Sequence, residues 1–234
     1  MRMPIILLVI SLVLGACASK DPVSPTPTGI KVPAVGSTFE LDAYGTDPTG
    51  KKIPDSEYSL LQSVLASGAV FGGKSGVWSI ESNDKVTGEP VDTSYMCLDS
   101  KQDVLLYFPD LSVDGSPKWF RLPVTTGLVS IDSASQTEDI NGIPLQFTLK
   151  VKAERSTDEP ILVGTSSIST RKIVMTVSVT ILAQGQVIET IEFKQHLWFA
   201  PTLGTFAQRS SDAYEAGCDV QDGEFVKLTK YTLK

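Results

Sequence analysis

The chain has 234 residues, with 20 Lys plus Arg against 27 Asp plus Glu and a formal net charge of −7. It has no basic run and no basic–aromatic stripe, which argues against nucleic acid as a partner and against electrostatic docking on anionic lipid. Three cysteines and one histidine leave little for zinc or serine-triad chemistry, and the sequence calls for no cofactor and no metal.

The chain opens with MRMPIILLVISLVLGACAS: a positive Arg2, then an uncharged apolar run from Pro4 to Leu14, then small residues. That is the layout of a secretory signal peptide, and the run is too short for a membrane span of roughly 20 residues. The segment Leu14-Gly15-Ala16-Cys17 resembles the lipobox of bacterial lipoproteins. The resemblance implies cleavage before Cys17, a diacylglycerol on its thiol and an acylated amino group, a palmitate-type anchor. Several acyl chains at ~0.8 kcal/mol per buried CH₂ anchor stably. Ala18 follows the cysteine where an Asp would resemble an inner-membrane retention signal, so outer-membrane sorting is implied.

Residues 1–16 are thus expected to be a signal peptide. Residues 17–36 are expected to be the lipidated cysteine and a tether with Pro22, Pro25, Pro27 and Pro33. Proline favours extended polyproline II, which gives a semi-rigid spacer at ~3.1 Å per residue. Residues 37–234 remain for a single β-rich domain. Cleavage removes only Arg2, leaving 19 basic against 27 acidic residues in the mature chain.

In chain order, the first strand candidate is Phe39–Tyr44. After it, DSEYSLLQSVLASG places Tyr58, Leu61, Val64 and Leu65 on one helical face, with Asp55 or Ser56 as cap and Gly68 as stop. This predicts one amphipathic helix over Ser56–Ser67. The next stretch, GAVFGGKS from Gly68 to Ser75, fits the P-loop pattern letter for letter. A P-loop follows a strand and opens a helix, whose N-terminus supplies the anion-binding amides. Here the predicted order is inverted, so the glycines are expected to serve a turn.

Val77–Glu81, Thr93–Leu98, Val104–Phe108 and Lys118–Leu122 are further strand candidates. Ser82-Asn83-Asp84-Lys85 matches S-x-x-K, but the partner motifs S-D-N and K-T-G are missing from the sequence. Asp110–Gly115 resembles the start of a calcium loop; the ninth position is Lys118, however, and the twelfth is Arg121 rather than Glu. A turn is the simpler expectation. Cys97 and Cys218 are left as an even pair in an oxidising compartment, both with polar sequence neighbours, and are expected to form a disulfide.

IPLQFTLKVKAE alternates cleanly, with Ile143, Leu145, Phe147, Leu149, Val151 and Ala153 on one face and charged or polar residues on the other. That is a half-buried antiparallel strand. Two long β-branched runs then flank Gln184-Gly185-Gln186, which predicts a hairpin. A two-residue loop would set Val177 opposite Glu192. A three-residue loop aligns Val179 with Ile191, Val177 with Phe193 and Ile173 with Leu197, and burial of that face favours the second register. Trp198 then points outward beside Lys172, a cation–π pair. His196 shares that outer face, with no acidic or nucleophilic residue at a telling offset.

HLWFAPTLGTF resembles the W-[YF]-A-x-x-x-G-x-V ending of many bacterial envelope lipoproteins, where it follows a long hairpin and precedes a last strand, here expected over Phe225–Leu233. The basic residue common after the hydrophobic position is missing, since Ala207 and Gln208 follow Phe206. The resemblance implies a curved antiparallel half-barrel, and in some such proteins a lipid or lipoprotein tail in the concave face. The expected fold is therefore mainly β: a curved antiparallel sheet or open half-barrel with one amphipathic helix.

Two functions fit these features. The first is a lipid-anchored, non-catalytic structural or interaction subunit of the cell envelope, with a protein partner. The second is a binding module that holds a lipid or other apolar ligand in the concave face of its sheet.

Overall fold

The computed structural model describes residues 29–107, 118–124, 129–140, 142–216 and 219–234. Cys17, the calcium-like Asp110–Gly115 and Cys218 lie outside them. Twelve antiparallel strands lie side by side in one sheet, and a thirteenth branches from it. In spatial order the first half is β6 (Trp119–Leu122), β5 (Val104–Tyr107), β4 (Pro90–Leu98), β3 (Lys74–Asp84), β2 (Tyr58–Phe71) and β1 (Thr38–Thr46). The second half is β15 (Gly223–Thr232), β12 (Thr205–Ser211), β11 (Gln186–Ala200), β10 (Ser166–Ala183), β8 (Ile143–Arg155) and β7 (Val129–Ile140). β9 (Glu159–Val163) pairs with the start of β10 as a branch. β13 (Tyr214–Ala216) and β14 (Asp219–Gln221) form a separate small hairpin.

The sheet curls into a nearly closed barrel. Between its two edges the Asp132 carboxylate on β7 accepts the Arg121 backbone N–H of β6. Mainly β, antiparallel and curved, the architecture is the one expected, except for the helix. Among the described residues there is none, and Ser56–Ser67 falls largely on strand β2. The burial of β2 alternates, with Leu60, Gln62 and Val64 facing inward. A polar Gln at an inward position and apolar Leu61 and Leu65 at outward ones disguised the period of two. Pairing with β1 and β3 on both sides overrode the local helical spacing.

The P-loop look-alike is the turn of the β2–β3 hairpin. Phe71 pairs with Lys74 around Gly72 and Gly73, both at positive φ (53° and 72°), the two-residue turn that suits strand twist. In the S-x-x-K match, Ser82 is buried and accepts the Gln62 amide at 3.0 Å, while Lys85 Nζ donates to Glu40 at 2.6 Å. Neither side chain serves the other.

The inner face forms one core, with Phe39, Leu60, Trp78, Met96, Leu122, Ile173, Phe199 and Leu228 among its fully buried side chains. One end of the barrel is plugged. Trp78 Nε1–H donates to the Gly204 carbonyl at 3.1 Å, tying β3 to the β11–β12 turn. The last tether residues lie on the same turn: Lys31 N–H donates to the Pro201 carbonyl at 2.8 Å, and Ile30 packs on the core.

Candidate functional site

β12 starts beside Gly204 at the plugged end and runs away from it, so its later residues reach the opposite end. There the inward positions of several strands turn polar. Arg209 pairs across the sheet with Leu197 and Val226, and Ser211 with Gln195 and Glu224. Arg209, Ser211, Gln195 and Glu224 line a cavity of ≈ 290 Å³ whose floor is apolar, made by Leu41, Ile80, Met96, Leu106 and Leu197. Its rim carries Asp92, Ser94, Gln195, Arg209 and Glu224. A shallower cleft of ≈ 570 Å³ adjoins it, between the Asp47–Gly50 turn and Ser210–Ala213, and shares Ser210, Ser211 and Glu224.

Three charged or titratable groups meet at the rim. The Tyr58 hydroxyl donates to Glu224 Oε1, and burial, followed by the Glu224 carboxylate, pushes the Tyr58 phenol far up, so it stays protonated. Arg209 Nη2 stands 3.7 Å from Glu224 Oε2, an ion pair too long for a hydrogen bond. Arg209 Nε is buried with no hydrogen-bond partner among the described residues. The site thus holds a guanidinium with unused donors over an apolar floor. Nothing in the sequence singled out Arg209 or Glu224, and Tyr58 was expected only on one face of a helix. Their meeting depends on β1, β2, β12 and β15 becoming neighbours, and that is not readable from spacing.

The outer face of β10 and β11 carries a second polar cluster. Lys172 Nζ lies 4.8 Å from the Trp198 ring centroid, as the register predicts. Trp198 is nonetheless only 8% exposed. Glu159 of β9 covers it, accepting Trp198 Nε1–H at 2.6 Å and Lys172 Nζ at 2.7 Å. Beside it, Asp158 is shared by Arg155 and Arg171. These ionic contacts fasten the β9 branch to the barrel wall. His196, half-buried on the same face, has Asp212 Oδ1 at 3.4 Å, a neighbour that sequence offset did not suggest.

Cys97 lies on β4, 1% exposed, and forms no disulfide with any described residue. Its polar sequence neighbours argued against a buried apolar position, but the structure buries it, and that burial pushes the thiol up. The expected partner, Cys218, is outside the described residues.

The arrangement defines a class: a nearly closed antiparallel barrel with one plugged end and one polar, cavity-bearing end. The sequence matches no family profile, and no curated protein matches it. The fold is similar to the crystal structure of a candidate lipoprotein from Parabacteroides distasonis, with a TM-score of 0.53 at 12% identity, covering 87% of this chain and 99% of that one. A candidate exported protein with a YmcC-like fold from Bacteroides fragilis also matches, with a TM-score of 0.42 at 13% identity, over 87% of this chain and 99% of that one.

Proposed function

We propose that this protein is a non-catalytic interaction subunit of the cell envelope, held on the outer membrane by an acylated Cys17. The lipobox-like segment supports the anchor, as does the fold shared with a candidate lipoprotein. The observation that carries the interaction role is the free edge of β7. It is a 12-residue strand with an unbroken register against β8. Beyond Asp132 no described strand pairs with its other edge. Natural edges of this length are usually blunted with Lys, Pro or a bulge, and β7 has none of these. An extended segment of another protein can add there as one more strand. Glu138 and Asp139, with no basic residue on β7, select a partner segment rich in Lys or Arg.

A photo-crosslinking residue at Ser135 should give one discrete heterologous adduct in cells, and the same residue at Thr180 on central strand β10 should give none. Equal yields at both positions, or an adduct only with a second copy of this chain, would sink the edge-docking role. The anchor is tested separately. Cys17→Ala should leave the membrane fraction or remain uncleaved, and continued fractionation with outer membrane at high salt would place the anchor elsewhere.

The cavity favours a second function, that of a ligand-binding module.

A further inference from the structure

From the cavity at the open end of the barrel we infer a binding site for a short, single-chain carboxylate, its head on Arg209 and its tail on the apolar floor. This rests on the ligand-binding function and is independent of the β7 edge. Size limits the ligand first. At ≈ 290 Å³ the cavity is at the low end of small-molecule sites, roughly 300–1,000 Å³, so it takes one short chain and not a two-chain lipid. The filled core behind it, sealed by Trp78 and Phe39, gives a longer tail nowhere to go.

Chemistry selects the head. A guanidinium carries five N–H donors in a planar fork that matches a carboxylate. The guanidinium of Arg209 donates no hydrogen bond to any described residue, and its Nε is shut off from solvent. Its one ionic neighbour among the described residues, Glu224, is already engaged by the Tyr58 hydroxyl through Oε1. The Nη end of the guanidinium is the part left open, its side chain being about one-third exposed, and an entering carboxylate can accept hydrogen bonds there. Gln195 and Ser94 flank the position as further polar contacts. Asp92 and Glu224 set the opposing term, since both carry negative charge at the rim. The site therefore favours an anion held directly by Arg209 and disfavours a bulky polyanion.

The test is equilibrium dialysis of radiolabelled octanoate against nanodiscs bearing the mature lipidated chain, with empty nanodiscs subtracting partition into the bilayer. Saturable one-to-one binding is expected. Replacing the carboxylate with a neutral methyl ester, or making Arg209→Gln, should weaken it by about tenfold or more, as expected for loss of a charge-assisted pair. Glu224→Gln removes a competing charge and should bind octanoate at least as tightly as the parent, which keeps the inference testable if Arg209→Gln folds poorly. No saturable binding above empty nanodiscs would overturn the site. So would octanoate binding unchanged by Arg209→Gln, or lost in Glu224→Gln.

Discussion

Gln62 shows how one side chain can hide the character of a whole element. It faces the core, 8% exposed, and its amide donates to Ser82 Oγ at 3.0 Å, so two polar groups are buried as a satisfied pair. Gln62→Leu leaves the Ser82 hydroxyl buried alone and should cost about 1–3 kcal/mol. Adding Ser82→Ala should recover most of that loss in urea unfolding, and purely additive losses would show that the pair is not coupled. At the outer wall, Glu159 is held below the ordinary carboxylate value of 4.5, chiefly by Lys172 and then by Trp198 Nε1–H. A carboxyl whose pKa is lower folded than unfolded stabilises the fold above about 4.5 and ceases to as pH falls through its folded pKa. The Tm difference between the parent and Glu159→Gln should therefore shrink between about pH 6 and about pH 3. A difference that stays constant would mean that Glu159 acts through shape alone.

At the scale of elements, legibility followed the local pattern. β8 alternates strictly in sequence, and the structure buries Leu149, Val151 and Ala153 as that alternation requires. β2 does not alternate by polarity, and only its pairing on both sides makes it a strand. The β10–β11 hairpin is the most instructive case. Val179 pairs with Ile191, Val177 with Phe193 and Ile173 with Leu197, the predicted register, yet the loop has two residues rather than three. Ala183 pairs with Gln186 around Gln184 and Gly185, both at positive φ (51° and 78°). A bulge opposite Ile181 and Leu182 then shifts the pairing by one residue. Burial decided the register of the strand body, the turn decided its own, and the bulge reconciles them. Two outcomes follow. Gln184→Asn suits the left-handed turn better and should stabilise by about 0.5 kcal/mol. Deleting Ile188 removes the extra residue and should turn Phe193 and Leu197 out of the core, with loss of the cooperative unfolding transition. A deletion variant that unfolds like the parent would show that the bulge is dispensable.

At the scale of the molecule, residues 29–36 are part of how the barrel closes, because they cover the plugged end. Gly204 is where this is decided. It sits at φ +65°, its carbonyl takes the Trp78 indole N–H, and a Cβ there would lie 2.3 Å from the Lys31 carbonyl oxygen and 2.6 Å from Pro33 Cδ. Only glycine lets the N-terminal segment lie across the turn, and the segment in turn fixes the end of the barrel at which residues 29–36 run. Gly204→Ala should therefore do two separable things. It forces a left-handed conformation on alanine, about 1 kcal/mol, and it pushes residues 29–36 off the turn, for a total of about 1–3 kcal/mol. In a chain beginning at Ser37 only the first penalty remains, so the cost of Gly204→Ala should fall to about 1 kcal/mol. Comparing urea unfolding of the four proteins measures the coupling between tether and barrel. Equal costs in the long and short chains would mean that the segment does not bear on Gly204 and takes no part in closing that end.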